Sequence, residues 1–521
     1  MLPVNSTDIQ VISPLLTLVV TGMLVLMVDL FLPRDRKSPC LIVSLIGVLC
    51  AWGACFFLWP FGGSGATAMT AFNGSVVADN FALAFQLILL VVVALSLLLS
   101  EKYIQQKGIN YGEYYALMLF STSGAMLMAT SRELITIFIG LEVLSIALYV
   151  LSGFARTEAR SEESAMKYFL LGSFSSGFFL YGIALVYGGT GTTRLDALIH
   201  VPAAALLSPY AVAGFALLIV GLGFKAAIVP FHAWTPDVYE GAPTSVTAFM
   251  SAGAKCGAFA ALVRVAIVLL PLSSVFHDVF WVLAILTMVV GNVVAIVQTN
   301  IKRMLAYSSI AHAGYILVGL LAGSSGYAQA HPELGIPSQA YAGILFYVLA
   351  YTFMNLGAFG ILILLARRGD ELNNIEDLQG LAASQPWAAA LMALFMFSLA
   401  GVPPAAGFFG KFYVFIAAVN AHQYSLAVIG LVASVIGAAY YLRTVYTMYF
   451  LPAKRDFPTH VWRFAPGADV ALVLCAIATL VFGIMPNLLY GPSVTGGNSL
   501  QSSPAITTAA VPPPVQRASI R

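Results

Sequence analysis

The chain has 521 residues, is 60% hydrophobic and only 9% charged, with a mean hydropathy of +0.91 and a formal net charge of +2. Soluble domains carry about 25% charged residues, so the composition excludes a water-soluble globule and makes the bilayer the natural solvent. No Lys/Arg run forms a nucleic-acid patch. The cysteines (Cys40, Cys50, Cys55, Cys256, Cys475) lack the paired spacing of a zinc or iron–sulfur site and read as small buried hydrophobes.

Residues 1–10 carry no positive n-region and no small-residue cleavage site, so the first apolar run is expected to stay as a membrane span. Runs of ~18 or more apolar residues are span candidates. They recur near 11–32, 40–60, 79–100, 113–130, 132–152, 164–187, 208–230, 244–270, 278–299, 302–323, 340–366, 386–419, 424–450 and 469–489. The expected fold is an all-α integral membrane protein of about fourteen transmembrane helices in one bundle. The strict alternation over ~10-residue segments that a membrane β-barrel needs is missing. From 494 to 521 the chain is rich in Ser, Thr, Ala and Pro without an apolar period, and is expected to be a disordered tail.

Orientation follows from Lys/Arg in alternate loops. One set holds Arg34, Arg36, Lys37, Lys102, Lys107, Arg156, Arg160, Lys302, Arg303, Arg367, Arg368, Lys454, Arg455 and Arg463; the other holds Arg132 and Arg194, with Arg517 and Arg521 in the tail. A split of 14 to 4 places the first set in the cytoplasm and both termini outside, and a missed helix would scramble it.

Six of the 24 basic residues remain inside the apolar runs. Lys167, Arg264 and Arg443 lie close enough to helix ends to snorkel. Lys225, Lys255 and Lys411 sit deeper. Glu142 is the lone acid in "LITIFIGLEVLSIALYV", His312 lies in "SSIAHAGYILVG", and Asp29 near the first helix end reads as a cap or surface contact. Each charge at the bilayer centre costs at least ~2.5–3.5 kcal/mol on insertion scales. The plain alternative to function is an internal ion pair that fixes helix packing, and for His312 a satisfied core histidine. The chemistry suits protons. Burial disfavours the charged form of lysine and a nearby carboxylate favours it, so a lysine whose acid partner approaches and withdraws loads and releases a proton. Histidine relays protons near neutral pH. A metal site is a poor fit, because no cluster of carboxylates, His or Cys lies in the apolar runs.

Pro230 follows Lys225, and Gly401, Pro403, Pro404, Gly407 and Gly410 precede Lys411, so helices seven and twelve are expected to be broken beside a buried lysine. Lys225 to Lys411 is 186 residues and Lys255 to Arg443 is 188. This suggests two five-helix units, 113–270 and 278–450, the second inverted because the helix number is odd. Residues 1–112 then hold helices one to three and 451–493 the fourteenth helix.

The stretches "GFKAAIVPFHAWTPDVYEGAPTSVTAFMSAGAKCGAFAALVRV", "IFIGLEVLSIALYVLSGF", "NIKRMLAYSSIAHAGYILVG" and "GVPPAAGFFGKFYVF" resemble the antiporter-like subunits of proton-translocating NADH:quinone oxidoreductase, respiratory complex I. The resemblance covers nearly the whole chain up to the tail. It implies fourteen helices with two inverted five-helix repeats, and proton translocation driven by electron transfer from NADH to quinone in other subunits. It makes Glu142 the fifth-helix glutamate, Lys225 its seventh-helix lysine partner, Lys255 the central lysine of helix eight, His312 the relay histidine of helix ten and Lys411 the terminal residue of helix twelve. Lysine at 411 rather than glutamate, and no lateral-helix extension, are most similar to the N-type subunits. FMN, iron–sulfur clusters and quinone are then expected in partner subunits, with none held here. The partners would be the other membrane and peripheral subunits, among them the antiporter-like M subunit, in a bacterial inner membrane.

A subunit of a multisubunit sodium/proton antiporter is the alternative, and would lean on more core carboxylates than Glu142 supplies. A substrate transporter would need a polar pocket at mid-membrane. A structural scaffold predicts that Glu142 and the lysines tolerate apolar replacement.

Overall fold

In lipid an apolar run must satisfy its backbone internally, so each long run becomes a helix. The computed structural model describes residues 5–33, 36–61, 68–269, 273–366, 372–454, 457 and 466–501. Its first helices are α1 (Ser6–Asp29) and α2 (Ser38–Leu58), followed by a two-stranded antiparallel hairpin, β1 (Met69–Ala71) and β2 (Val76–Ala78). Next come α3 (Asn80–Lys107), α4 (Gly112–Thr130), α5 (Leu134–Ser152) and α6 (Ala159–Thr190). Short turns α7 (Leu195–Leu198) and α8 (Ala203–Leu206) lead into α9 (Pro209–Ala226), α10 (Trp234–Gly241) and α11 (Thr244–Leu269). The second half holds α12 (Ser273–Ile296), α13 (Ile301–Ser324), α14 (Gly326–Ala330), α15 (Ile336–Leu365), α16 (Leu381–Ser384), α17 (Pro386–Ala400), α18 (Ala406–Asn420) and α19 (Tyr424–Phe450). The last helices are α20 (Pro466–Ile484) and α21 (Asn487–Gln501).

Twelve described helices are long and apolar enough to cross a membrane. Helix α4 is a thirteenth crossing of 19 residues, enclosed by α1, α3, α5 and α11, so it needs less apolar surface of its own. Helices α17 and α18 have 15 residues each. At 1.5 Å per residue each falls short of the ~30 Å hydrocarbon core, and together they make the fourteenth crossing around a break at residues 401–405. Gly401 ends α17 with φ +90°, a left-handed cap that favours glycine.

Loop contacts agree with fourteen alternating passes. On one side Lys107 pairs with Glu158 at 3.0 Å, Lys454 with Glu376 at 2.9 Å, and Asn300 bridges Asn374. On the other, Tyr327 stacks on His422 and Gln423 Nε2 meets His277 Nε2 at 3.1 Å. Helices α11, α13 and α15 form the buried centre. The two breaks, α9/α10 and α17/α18, are the irregular points of the two expected repeats. Helices α6 and α9 approach through Gly182 and Gly214, where an added Cβ would fall 2.8 Å from the facing carbonyl oxygen.

The structure differs from the sequence reading in several places. The chain stays helical to Gln501, so residues 494–501 belong to α21, not to a tail; Phe81 N donates to Ser499 Oγ at 3.0 Å across it. Residues 502–521 lie outside the described residues, as do Arg34, Arg367, Arg368, Arg455 and Arg463 of the loop count. Cys50 is exposed on α2, whereas the other four cysteines are buried. Lys37 is buried and pairs with Asp29 at 2.6 Å, so Asp29 is a partner rather than a cap. Arg264 does not snorkel: with Asp79 it forms a 2.8 Å ion pair, the side chains 6% and 4% exposed. Arg443 donates to the carbonyls of Ile296 and Gln298, where α12 ends.

Candidate proton-relay site

Lys225, Lys255, His312 and Lys411 are all buried, and Glu142 is half-buried. Among the described residues no carboxylate lies within ion-pair distance of the three lysines, so aromatic rings and hydroxyls carry them instead.

Glu142 on α5 accepts a hydrogen bond from Ser176 of α6. Lys225, in the last turn of α9, donates to Tyr168 Oη at 2.9 Å and lies 4.9 Å over that ring and 5.6 Å over Tyr149. Tyr149 and Tyr168 meet edge to face at 4.8 Å, and Tyr168 stacks on Trp234 of α10 at 4.5 Å. The expected Glu142–Lys225 pair is therefore not a direct contact. Lys225 points to the α6 face that carries Tyr168 and rests against Tyr168 and Tyr149 instead.

Lys255, midway along α11, donates to the Ser309 carbonyl of α13 and lies 5.9 Å from the Tyr351 ring of α15. Tyr351 Oη donates to Ser309 Oγ at 2.8 Å. One turn on, His312 Nδ1 meets Tyr347 Oη at 2.7 Å and Nε2 meets Tyr441 Oη at 3.1 Å; Tyr441 also bonds Ser308. Both ring nitrogens are thus engaged by hydroxyls, which donate or accept. Exchange of tautomer would pass a proton across the ring without moving it.

Lys411, in the second turn of α18, reaches back over the break. Its Nζ donates to the carbonyls of Leu399 at 3.0 Å and Ala400 at 2.9 Å, and to Ser434 Oγ of α19 at 2.8 Å. Leu399 and Ala400 end α17, where the unpaired carbonyls and helix dipole favour a cation. The Tyr315 ring lies 5.0 Å away, on the side leading to His312, and Tyr315 Oη accepts from Asn292 at 2.8 Å.

The structure thus brings Lys255, His312 and Lys411 into one buried line and leaves Lys225 against Tyr168 and Tyr149, with Glu142 held apart by Ser176. The sequence reading missed the hydroxyls, Tyr168, Tyr347, Tyr351, Tyr441 and Ser309. Tyr168 adjoins Lys167 and Tyr441 lies two residues from Arg443, but Tyr347 and Tyr351 stand in a run without charged residues, so the sequence carried no local signal for them. Among the described residues no three His, Cys, Asp or Glu gather as a metal site.

A family model described as NADH:quinone oxidoreductase/Mrp antiporter, TM, matches residues 131–437 and so encloses all five residues. A protein of Trichlorobacter lovleyi named NADH-quinone oxidoreductase subunit N is 45% identical over 93% of this chain and 96% of its own. The chain belongs to the NADH-quinone oxidoreductase subunit N family. A second subunit N, from Herpetosiphon aurantiacus, is 44% identical over 90% of this chain and 93% of its own. Among solved structures, a chain of Thermus thermophilus respiratory complex I is similar with a TM-score of 0.75 and 32% identity, covering 92% of this chain and 98% of that one. A chain of the Mrp complex from Dietzia sp. shares the fold at a TM-score of 0.80 and 22% identity, over 97% and 99% of the two chains. The subunit N fold is thus an antiporter-like frame for the buried lysines.

Proposed function

We propose that this chain is the proton-translocating membrane subunit of an NADH-quinone oxidoreductase, with electron transfer from NADH to quinone taking place in other subunits. The observation that carries the reading is the buried sequence of proton-bearing groups, Lys255, His312 and Lys411, linked by hydroxyls and left without carboxylates among the described residues. A scaffold would fill these positions with apolar side chains at lower cost.

Residues 113–270 and 278–450 act as the two inverted halves, meeting at Lys255 and His312. Glu142, at the α5–α6 face, receives the drive from a neighbouring subunit. When its charge strengthens at Lys225 the lysine takes a proton; when it withdraws, burial favours release. A proton on Lys255 passes along the His312 tyrosines to Lys411. There the α17 carbonyls hold the charged form until the break rearranges. Movement of a unit charge costs ~2.3 kcal/mol per 100 mV, so outward release needs that drive. FMN, iron–sulfur clusters and quinone belong to partner subunits, the M-type antiporter-like subunit among the membrane neighbours. The chain lies in the bacterial inner membrane with both termini outside, as its basic loops indicate.

Affinity purification of the tagged chain from its own membranes tests the assembly. Flavin and iron–sulfur subunits should copurify, and Lys255→Met should leave the assembly intact while lowering protons pumped per NADH oxidised. Copurification with antiporter subunits alone, and sodium efflux without NADH oxidation, would favour the antiporter reading.

A further inference from the structure

The relay line explains how protons cross the bundle but not how they reach Lys255. A second set of buried polar groups lies on the other side of that lysine. At the surface, Lys107 bridges Glu158 at 3.0 Å and donates to Tyr103 Oη at 3.3 Å; Tyr103 Oη also accepts from Thr244 N at 2.9 Å. Next inward, Tyr114 Oη lies 2.7 Å from Ser245 Oγ and 3.0 Å from Ser100 Oγ. One turn deeper on α3 is Ser96. One turn from Lys255 on α11 is Ser251, which accepts from Asn355 Nδ2 at 2.5 Å.

Helix contacts put these groups at one depth. An added Cβ on Gly253 would lie 3.5 Å from Val92, and Thr244 meets Tyr103, so antiparallel α3 and α11 bring Ser96 level with Ser251. An added Cβ on Gly360 would lie 3.0 Å from Leu99, which brings Asn355 within a turn of the same level. Ser96 Oγ and Asn355 Oδ1 are both buried, and among the described residues neither has a hydrogen-bond partner. Buried polar atoms left unpaired by protein are where bound water is found, because an unmet hydrogen bond costs more than holding the water. Two such atoms flank the gap between Ser100 and Lys255.

We infer that α3, α4, α11 and α15 enclose a water-bearing lane that delivers protons from the Lys107 end of α3 to Lys255. The N-terminal three helices then supply one wall of the proton path rather than an accessory pack. The lane rests on the translocation reading above.

The test uses the complete complex in inverted membrane vesicles, reading protons pumped per NADH oxidised and, by native gel, assembly. The variants are Ser96→Ala, which keeps room for water, Ser96→Leu, which fills the gap, and Asn355→Leu, which keeps the branched shape but is bulkier and carries no polar atoms. Asn355→Ser and Lys255→Met are run beside them. The lane predicts that Ser96→Leu and Asn355→Leu fall to the ratio of Lys255→Met, while Ser96→Ala and Asn355→Ser, which leave room for water, keep a ratio at least about twofold above those leucine variants. Should Ser96→Leu fail to assemble, the Asn355 pair decides alone. Full pumping in assembled Ser96→Leu or Asn355→Leu, or equal loss in each small and large variant, overturns the lane. Full pumping in Lys255→Met instead overturns the translocation reading on which it rests.

Discussion

The Lys225 ammonium donates to the Tyr168 hydroxyl at 2.9 Å, inside a bundle where no described carboxylate reaches it. Tyr168 is also stacked on Trp234, so the position of α10, on the far side of the helix break, is tied to the acceptor of Lys225. A movement of α10 thereby changes the environment of the lysine directly.

Tyr168→Phe should therefore impair pumping while keeping the stack on Trp234. A hydrogen bond to a charged group is worth ~1.5–3 kcal/mol, and 1.4 kcal/mol is about tenfold. The charged form of Lys225 is disfavoured by that amount, while the ring still offers its face to the cation. The expectation is about a tenfold loss of pumping with normal assembly. Tyr168→Leu, which also removes the ring, should lose more. Equal activity of Tyr168→Phe and the parent in vesicle acidification would leave the hydroxyl without a role.

The Asp79–Arg264 pair should matter for stability. Asp79 also accepts from Ala82 N at 2.7 Å as the cap of α3, and Arg264 Nε donates to the Ala129 carbonyl at 2.7 Å, so one ion pair ties α3, α4 and α11 together. Removal of one partner of a buried pair costs ~3–5 kcal/mol, whereas replacement of both by apolar residues is often neutral. Asp79→Leu alone should lower the amount of assembled complex, and Asp79→Leu with Arg264→Met should restore much of it. A double variant worse than either single variant contradicts the account.

Orientation is testable in intact cells with a membrane-impermeant thiol reagent, after the exposed Cys50 is replaced by serine. Gly108→Cys and Thr157→Cys sit beside the Lys107–Glu158 bridge and should be protected. Gly191→Cys and Glu333→Cys lie at the opposite ends of their helices and should react. Labelling of one member of each pair only would break the fourteen-pass alternation.

Much of this architecture is written in the sequence because lipid leaves little choice. Apolar runs become helices, and Lys225, Lys255 and Lys411 stand out because an isolated charge in such a run is costly. The partners are less legible. Asp79 lies 185 positions from Arg264, and nothing local links them, so the arginine read as an interfacial one. Tyrosines are ordinary in apolar spans, so Tyr347, Tyr351 and Tyr441 acquired meaning only when His312 and Lys255 fell beside them. Helix α21, "NLLYGPSVTGGNSLQ", is too rich in Gly, Ser and Asn to announce itself and exists by packing on α3 and α15. The β-hairpin strands have three residues each, below the length at which alternation is readable.

The central claim is that protons leave through Lys411, and a substitution series at that position tests it most directly. Lys411 holds its proton against the carbonyls of Leu399 and Ala400. Methionine carries no proton. Arginine donates as lysine does but stays charged. A glutamic acid donates to one carbonyl when protonated and releases that proton when ionised. Protons pumped per NADH oxidised, measured in vesicles with matched amounts of assembled complex, should rank the parent first and Lys411→Glu next, with Lys411→Met at the bottom and Lys411→Arg impaired. A ratio for Lys411→Met at or above that of Lys411→Glu would contradict the terminal role of Lys411.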